Sequence, residues 1–153
     1  MNTVNEILAR TLHIGFDEVP WVQNRPGVKN RVLHARPAEN LVVTQSLYDP
    51  GASVALHRHL APVFAITQRG AWSHTRTDLP YRPGVYVYEA VNVLHQFHNG
   101  PETTETLFIN TGAVEFVDPA TREVIQRETP ATVLERYLQR CEEAGLPRPN
   151  VLA

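Results

Sequence analysis

Between residues 30 and about 126 the chain is written in short runs of Val, Ile, Thr, Tyr and Phe. These alternate with polar positions and stop at Pro, Gly, Asn or Asp. A period of two marks strands with one buried face, and closely spaced turn signals mark hairpins rather than helical crossovers. The pattern predicts strands near 30–35, 41–48, 53–59, 62–68, 71–77, 84–88, 94–98, 104–110, 113–117 and 122–126. Asp49-Pro50-Gly51, Arg69-Gly70, Arg82-Pro83-Gly84, Asn99-Gly100-Pro101 and Thr111-Gly112 supply the reversals, through a positive φ at glycine or a preset φ at proline. No strand–helix–strand rhythm is visible, so the expected class is an all-β sandwich or barrel.

Beyond Asp118 the period lengthens. Across Thr132 to Gly145, Val133, Leu134, Tyr137 and Leu138 share one helical stripe that a glycine closes. A single C-terminal helix over about 131–145 is expected to pack on the barrel, with Pro147 and Pro149 in a tail. The chain of 153 residues is read as one domain. Cys141, the single cysteine, excludes an internal disulfide framework and a Cys-rich zinc site, and it is read as a bland residue of a surface helix.

Charge narrows the partners. Fourteen basic and sixteen acidic residues leave a net charge of -2, which offers no field for phosphate backbones or anionic lipid. Neither a secretory leader pattern nor a long apolar run occurs, so a cytoplasmic protein without nucleic-acid or membrane partners is expected.

The candidate chemistry lies in the histidines. His57 and His59 flank Arg58 on a predicted strand. Residues i and i+2 face the same side about 7 Å apart, so the two imidazoles either converge on one ion or are ordinary polar side chains, while Arg58 points away. A second stretch, GVYVYEAVNVLHQFHN, places His95 eleven residues after Gly84 and Asn99 four residues later.

Together the two stretches resemble the paired motifs of the cupin superfamily. The first motif is matched by Gly51, His57, His59 and Gly70, the second by Gly84, His95 and Asn99. This resemblance, over roughly residues 51 to 99, implies a double-stranded β-helix (jelly-roll) barrel with a metal on His57, His59 and His95. Val63 stands where the superfamily usually carries its glutamate ligand, and Ala90 and Asn92 replace a proline and a glycine. With no carboxylate between His59 and Gly70, the expected site is three neutral imidazoles. Such an ion would keep its full charge and favour an anionic, chelating substrate.

Among three-histidine cupins, residues 12–22, 86–95 and 137–150 are similar to the family that includes 2,4'-dihydroxyacetophenone dioxygenase, and more distantly to the acetylacetone-cleaving enzyme. That resemblance implies Fe(II), O2 and a C–C cleavage beside a ketone. Imidazole donors also accept Zn or Ni. The resemblance places Glu89, six residues before His95, near the metal, where it either orients a ligand or substrate proton or is a solvated strand end.

The remaining positions follow from alternation. Val63, Ala65 and Phe97 share the phase of the ligands and form an apolar pocket wall. His74 and Arg76 share one strand face and would hold a carbonyl or phenolate if that face is inward. His98, Tyr86 and Tyr88 fall in the outward phase, while His13 and His34 have no spacing partner.

Three readings compete: an Fe(II) dioxygenase acting on a small hydroxyketone or diketone, a redox-inert metal lyase or isomerase with Glu89 as base, and a non-catalytic binding barrel. A homodimer or higher assembly is expected, because pairing covers exposed sheet edges.

Overall fold

The computed structural model describes residues 14–75, 77 and 79–152. His13 and Arg76 therefore lie outside the described residues. Among the described residues the strands are β1 (Val22–Arg25), β2 (Val28–Arg36), β3 (Leu41–Tyr48), β4 (Ser53–His59), β5 (Val63–Arg69) and β6 (Trp72–His74). After these come β7 (Tyr86–Glu89), β8 (His95–Asn99), β9 (Thr104–Asn110), β10 (Val114–Val117) and β11 (Val124–Glu128). The helix α1 spans Pro130–Glu143.

The strands pair antiparallel in two sheets, one ordered β1-β2-β3-β9-β5-β7 and the other β11-β10-β4-β8-β6. This is the jelly roll implied by the paired motifs, with one C-terminal helix. The register stacks interior side chains in rows. Val28, Tyr48 and Thr104 pair across β2, β3 and β9, while Val42, Asn110, Val63 and Glu89 pair across β3, β9, β5 and β7. Opposite pairs share a face, so each row crosses the inside of the barrel and the last ends on a carboxylate.

Two packed clusters hold this frame. One lies inside the barrel, where the Trp72 ring stacks on Phe97 at 4.7 Å and Phe97 stacks on Tyr48 at 4.1 Å. The other lies at the helix end of the barrel, where Leu134, Tyr137 and Cys141 of α1 cluster with Val22, Val32 and Val42. Cys141 is fully buried, so the surface-helix reading of its side chain is corrected: it sits on the inward stripe, two helical turns after Leu134. Thr129 caps α1 through a capping box with Thr132 and is followed by Pro130, whose fixed φ suits the first turn.

Differences from the predicted elements are local. The sheet begins at Val22 rather than near 30, because the four residues of β1 are too few to show alternation. Pro26 and Gly27 turn it back into β2, with Gly27 at φ 71°. The predicted strand at 71–77 shortens to β6, and α1 begins and ends earlier than 131–145. The tail docks: Val151 is buried and its carbonyl accepts from the Ala35 N–H at 2.8 Å. Among the described residues no helix is long and apolar enough to cross a membrane.

Candidate metal centre

His57 and His59 both face inward from β4, and both are buried. Arg58 between them turns outward to Glu115, with guanidinium contacts of 2.8 and 2.9 Å. Across the sheet His57 pairs with His95 on β8 and Phe116 on β10, and His59 pairs with Val114. A register shift between Val54 and His57 sets this pairing; such bulges re-aim side chains.

The three imidazoles offer ring nitrogens within 4.8 Å of one another. The Nδ1 of His57 lies 2.7 Å from the Ala55 carbonyl, so it carries the proton and donates, which leaves Nε2 as a free lone pair. That Nε2 lies 3.1 Å from the Nε2 of His95. Neither ring nitrogen of His59 has a hydrogen-bond partner among the described residues, although both are buried.

Glu89 corrects the expectation of three neutral ligands. It ends β7 on the opposite sheet and is 5% exposed. Its Oε2 lies 2.6 Å from His59 Nε2 and 3.9 Å from His95 Nε2, while its Oε1 lies 3.0 Å from His74 Nε2. The carboxylate that the first motif lacks thus arrives from β7, and the solvated strand end is excluded. A lone pair and a carboxylate oxygen so close repel unless a proton or cation lies between them.

The electrostatics agree with that requirement. Burial pushes the His57 imidazolium down to about 4, against a smaller opposite pull from its bond to Ala55. Burial and the neighbouring His57 push His95 down to about 3. Burial alone would raise the Glu89 carboxyl, but its contacts with His59 and His74 outweigh this and hold it well below the usual carboxylate range. Neutral imidazoles and an ionised carboxylate are the forms that ligate metals. Unpartnered buried nitrogens with this donor set fit a divalent ion on His57, His59 and His95, with Glu89 in reach and His74 behind it.

The other predicted positions divide. His74 turns inward and stacks on His95 at 4.2 Å. Phe97 and His74 line a cavity of about 140 Å³ that also contacts His57, His59 and Glu89. Val63 is buried opposite Glu89 in the core and does not line that cavity. Arg76 lies outside the described residues. Tyr86, Tyr88 and His98 are exposed. Sequence reasoning missed Phe108, Phe116 and Arg25, all on the cavity wall. Phe116 carried a signal, since it shares a predicted strand with residues that must pair with β4; Arg25 carried none, because β1 was not foreseen.

The profile of the family described as ChrR Cupin-like domain matches residues 9–115. Among curated proteins none matches the sequence. An RmlC-like cupin protein from Ralstonia eutropha JMP134 superposes with a TM-score of 0.85 at 21% identity, covering 94% of this chain and 94% of its own. An acetylacetone dioxygenase from Acinetobacter johnsonii gives 0.74 at 18% identity, over 85% of this chain and 91% of its own. A cupin described as a sugar phosphate isomerase, from Silicibacter pomeroyi DSS-3, gives 0.55 at 17% identity, over 70% of this chain and 82% of its own. At these identities the likeness shows the fold, and the neighbours are described with different activities within it.

Proposed function

The chain belongs to the ChrR cupin-like domain family, and from that premise we propose that it is a metal-dependent dioxygenase. Its substrate on this reading is a small hydroxyketone or 1,3-diketone, cleaved by O2 at a C–C bond beside the ketone. The observation that carries the reading is the cluster of His57, His59 and His95, with unpartnered nitrogens and an adjacent carboxylate, at the wall of a small cavity. Likeness in fold to acetylacetone dioxygenases supports the same choice, as does the resemblance to the 2,4'-dihydroxyacetophenone-cleaving family.

Bound at these imidazoles, Fe(II) supplies the Lewis acidity that favours an enolate and the one-electron chemistry O2 requires. The protein's own part is positional. Phe97, Phe108 and Phe116 exclude water and present flat faces to a small carbon skeleton. The cavity volume of about 140 Å³ suits a small substrate. Glu89 Oε2 is held ionised among the rings and accepts a proton from the carbon between two carbonyls, while His74 Nε2 at 3.0 Å steadies the carboxylate through Oε1.

The test is metal content followed by oxygen uptake. Protein purified without chelator or nickel resin should hold about one iron per chain and should consume O2 with 1,3-diketones, and His95→Ala should lose both. The same Glu89 carboxylate would also serve a redox-inert lyase or isomerase. Equal product formation under argon would replace the dioxygenase reading with that one.

A further inference from the structure

The cavity has a second chemical pole that the metal centre does not use. Its wall includes two guanidinium groups, Arg25 and Arg136. Arg136 is neutralised by Glu128 at 2.7 Å. Arg25 has no hydrogen-bond or ion-pair acceptor among the described residues; its guanidinium carbon rests over the Phe116 ring, 5.4 Å from the centroid.

The local chain explains why Arg25 looks inward. The β1–β2 hairpin pairs Val22 with Asn30 and Gln23 with Lys29, then shifts register so that Arg25 pairs with Val28. Paired residues share a face, and Val28 is a buried member of the barrel-interior cluster. The extra residue, Asn24, accepts from Arg140 at 3.3 Å. The bulge therefore places Arg25, in the position Asn24 would otherwise take, opposite Val28 and on the cavity wall.

The two poles are close. The Phe116 ring lies 5.5 Å from the His57 ring on one count and 5.4 Å from the Arg25 guanidinium on the other. Imidazole and guanidinium thus stand no more than about 11 Å apart along one apolar wall. Of the acidic groups on that wall, Glu128 is engaged by Arg136 and Glu89 lies against the histidines, so neither carboxylate is paired with Arg25. A half-buried guanidinium over an aromatic face is suited to a planar carboxylate, which it can grip through two parallel N–H donors.

We propose that Arg25 binds a carboxylate on the substrate, so that the substrate class is a short dioxo or hydroxyoxo acid whose ketone end reaches His57, His59 and His95. The choice of ketone end rests on the dioxygenase reading above; the anion pole stands on its own geometry.

The probes are 4,6-dioxoheptanoate and its neutral isostere 4,6-dioxoheptanamide, titrated by calorimetry into metal-free and Zn(II)-loaded protein. In both forms the wild type should bind the acid at least about tenfold more tightly than the amide, the scale of a charge-assisted pair. Arg25→Gln should abolish that preference while leaving the amide within about twofold, and Arg25→Lys should restore part of it. Equal binding of acid and amide by the wild type, a preference surviving Arg25→Gln, or binding of neither probe would overturn the proposal. A preference that persists whether or not Zn(II) is loaded, with no gain in affinity from the metal, would retain Arg25 as the anion site and defeat the chelation on which the dioxygenase reading depends.

Discussion

The two halves of the barrel interior solve burial in opposite ways. Around Trp72 the donors are answered: its Nε1 donates to Thr67 Oγ1 at 2.8 Å, Thr67 donates to the Tyr81 carbonyl, and the Asn99 Nδ2 donates to carbonyls among Tyr48, Asp49 and Glu102, although the Asn99 Oδ1 has no partner among the described residues. Around His59 a similarly buried space holds ring nitrogens without partners, beside a carboxylate. Unsatisfied buried polar groups each cost about 1–3 kcal/mol. One half is organised for cohesion, and the other retains destabilising groups that a ligand would relieve.

The largest contrast should come from truncating each half. Trp72→Ala removes a fully buried ring stacked on Phe97 and should cost about 3–5 kcal/mol in urea unfolding of the metal-free protein. His59→Ala should cost far less there, because no hydrogen bond of its ring is lost. An equal cost for both would erase the distinction.

Metal should act only on the polar half. At one hundred times its dissociation constant a ligand of the folded state adds about 2.7 kcal/mol. Chelator should remove a stabilisation of that order from the wild type and nothing from His59→Ala, read as thermal midpoints with and without EDTA. Glu89→Gln keeps the shape of the side chain and removes its charge. It should weaken metal binding about 10–100-fold in competition with a chromophoric chelator, and unchanged affinity would reduce Glu89 to a bystander.

A smaller, graded effect concerns pH. His57 and His95 titrate below the 6.5 of a free imidazole, near 4 and near 3, so the unfolded chain takes up protons first as pH falls. Their stabilisation of the metal-free fold is complete above about pH 6.5, declines below it, and stops declining near pH 4 for His57 and near pH 3 for His95. Glu89, shifted down from 4.5, adds loss in the same direction below that value. Urea midpoints from pH 7 to 4 should fall in the wild type and fall less in His57→Ala, whereas Trp72→Phe should leave the slope unchanged.

Much of the frame was legible from local pattern. The predicted spans 41–48, 53–59 and 104–110 coincide with β3, β4 and β9, because each is a run of seven or eight residues rich in strand formers and bounded by turn signals. β1 escaped, since four residues between two prolines carry no readable period. The inward face of His57 and His59 also followed from alternation, which is a property of consecutive residues.

The chain's own sequence determined the antiparallel strands, the helical stripe of Leu134 and Tyr137, and the same-face placement of His57 and His59, because those features depend on neighbours a few positions apart. Tertiary structure decided the rest. It closed β7 against β4 so that Glu89 entered the cluster of imidazoles, turned His74 inward behind it, buried Cys141 and, through one shifted residue in β1, aimed Arg25 into the cavity. Those outcomes depend on sheet closure and register between segments far apart in sequence, and no local period encodes which faces will meet.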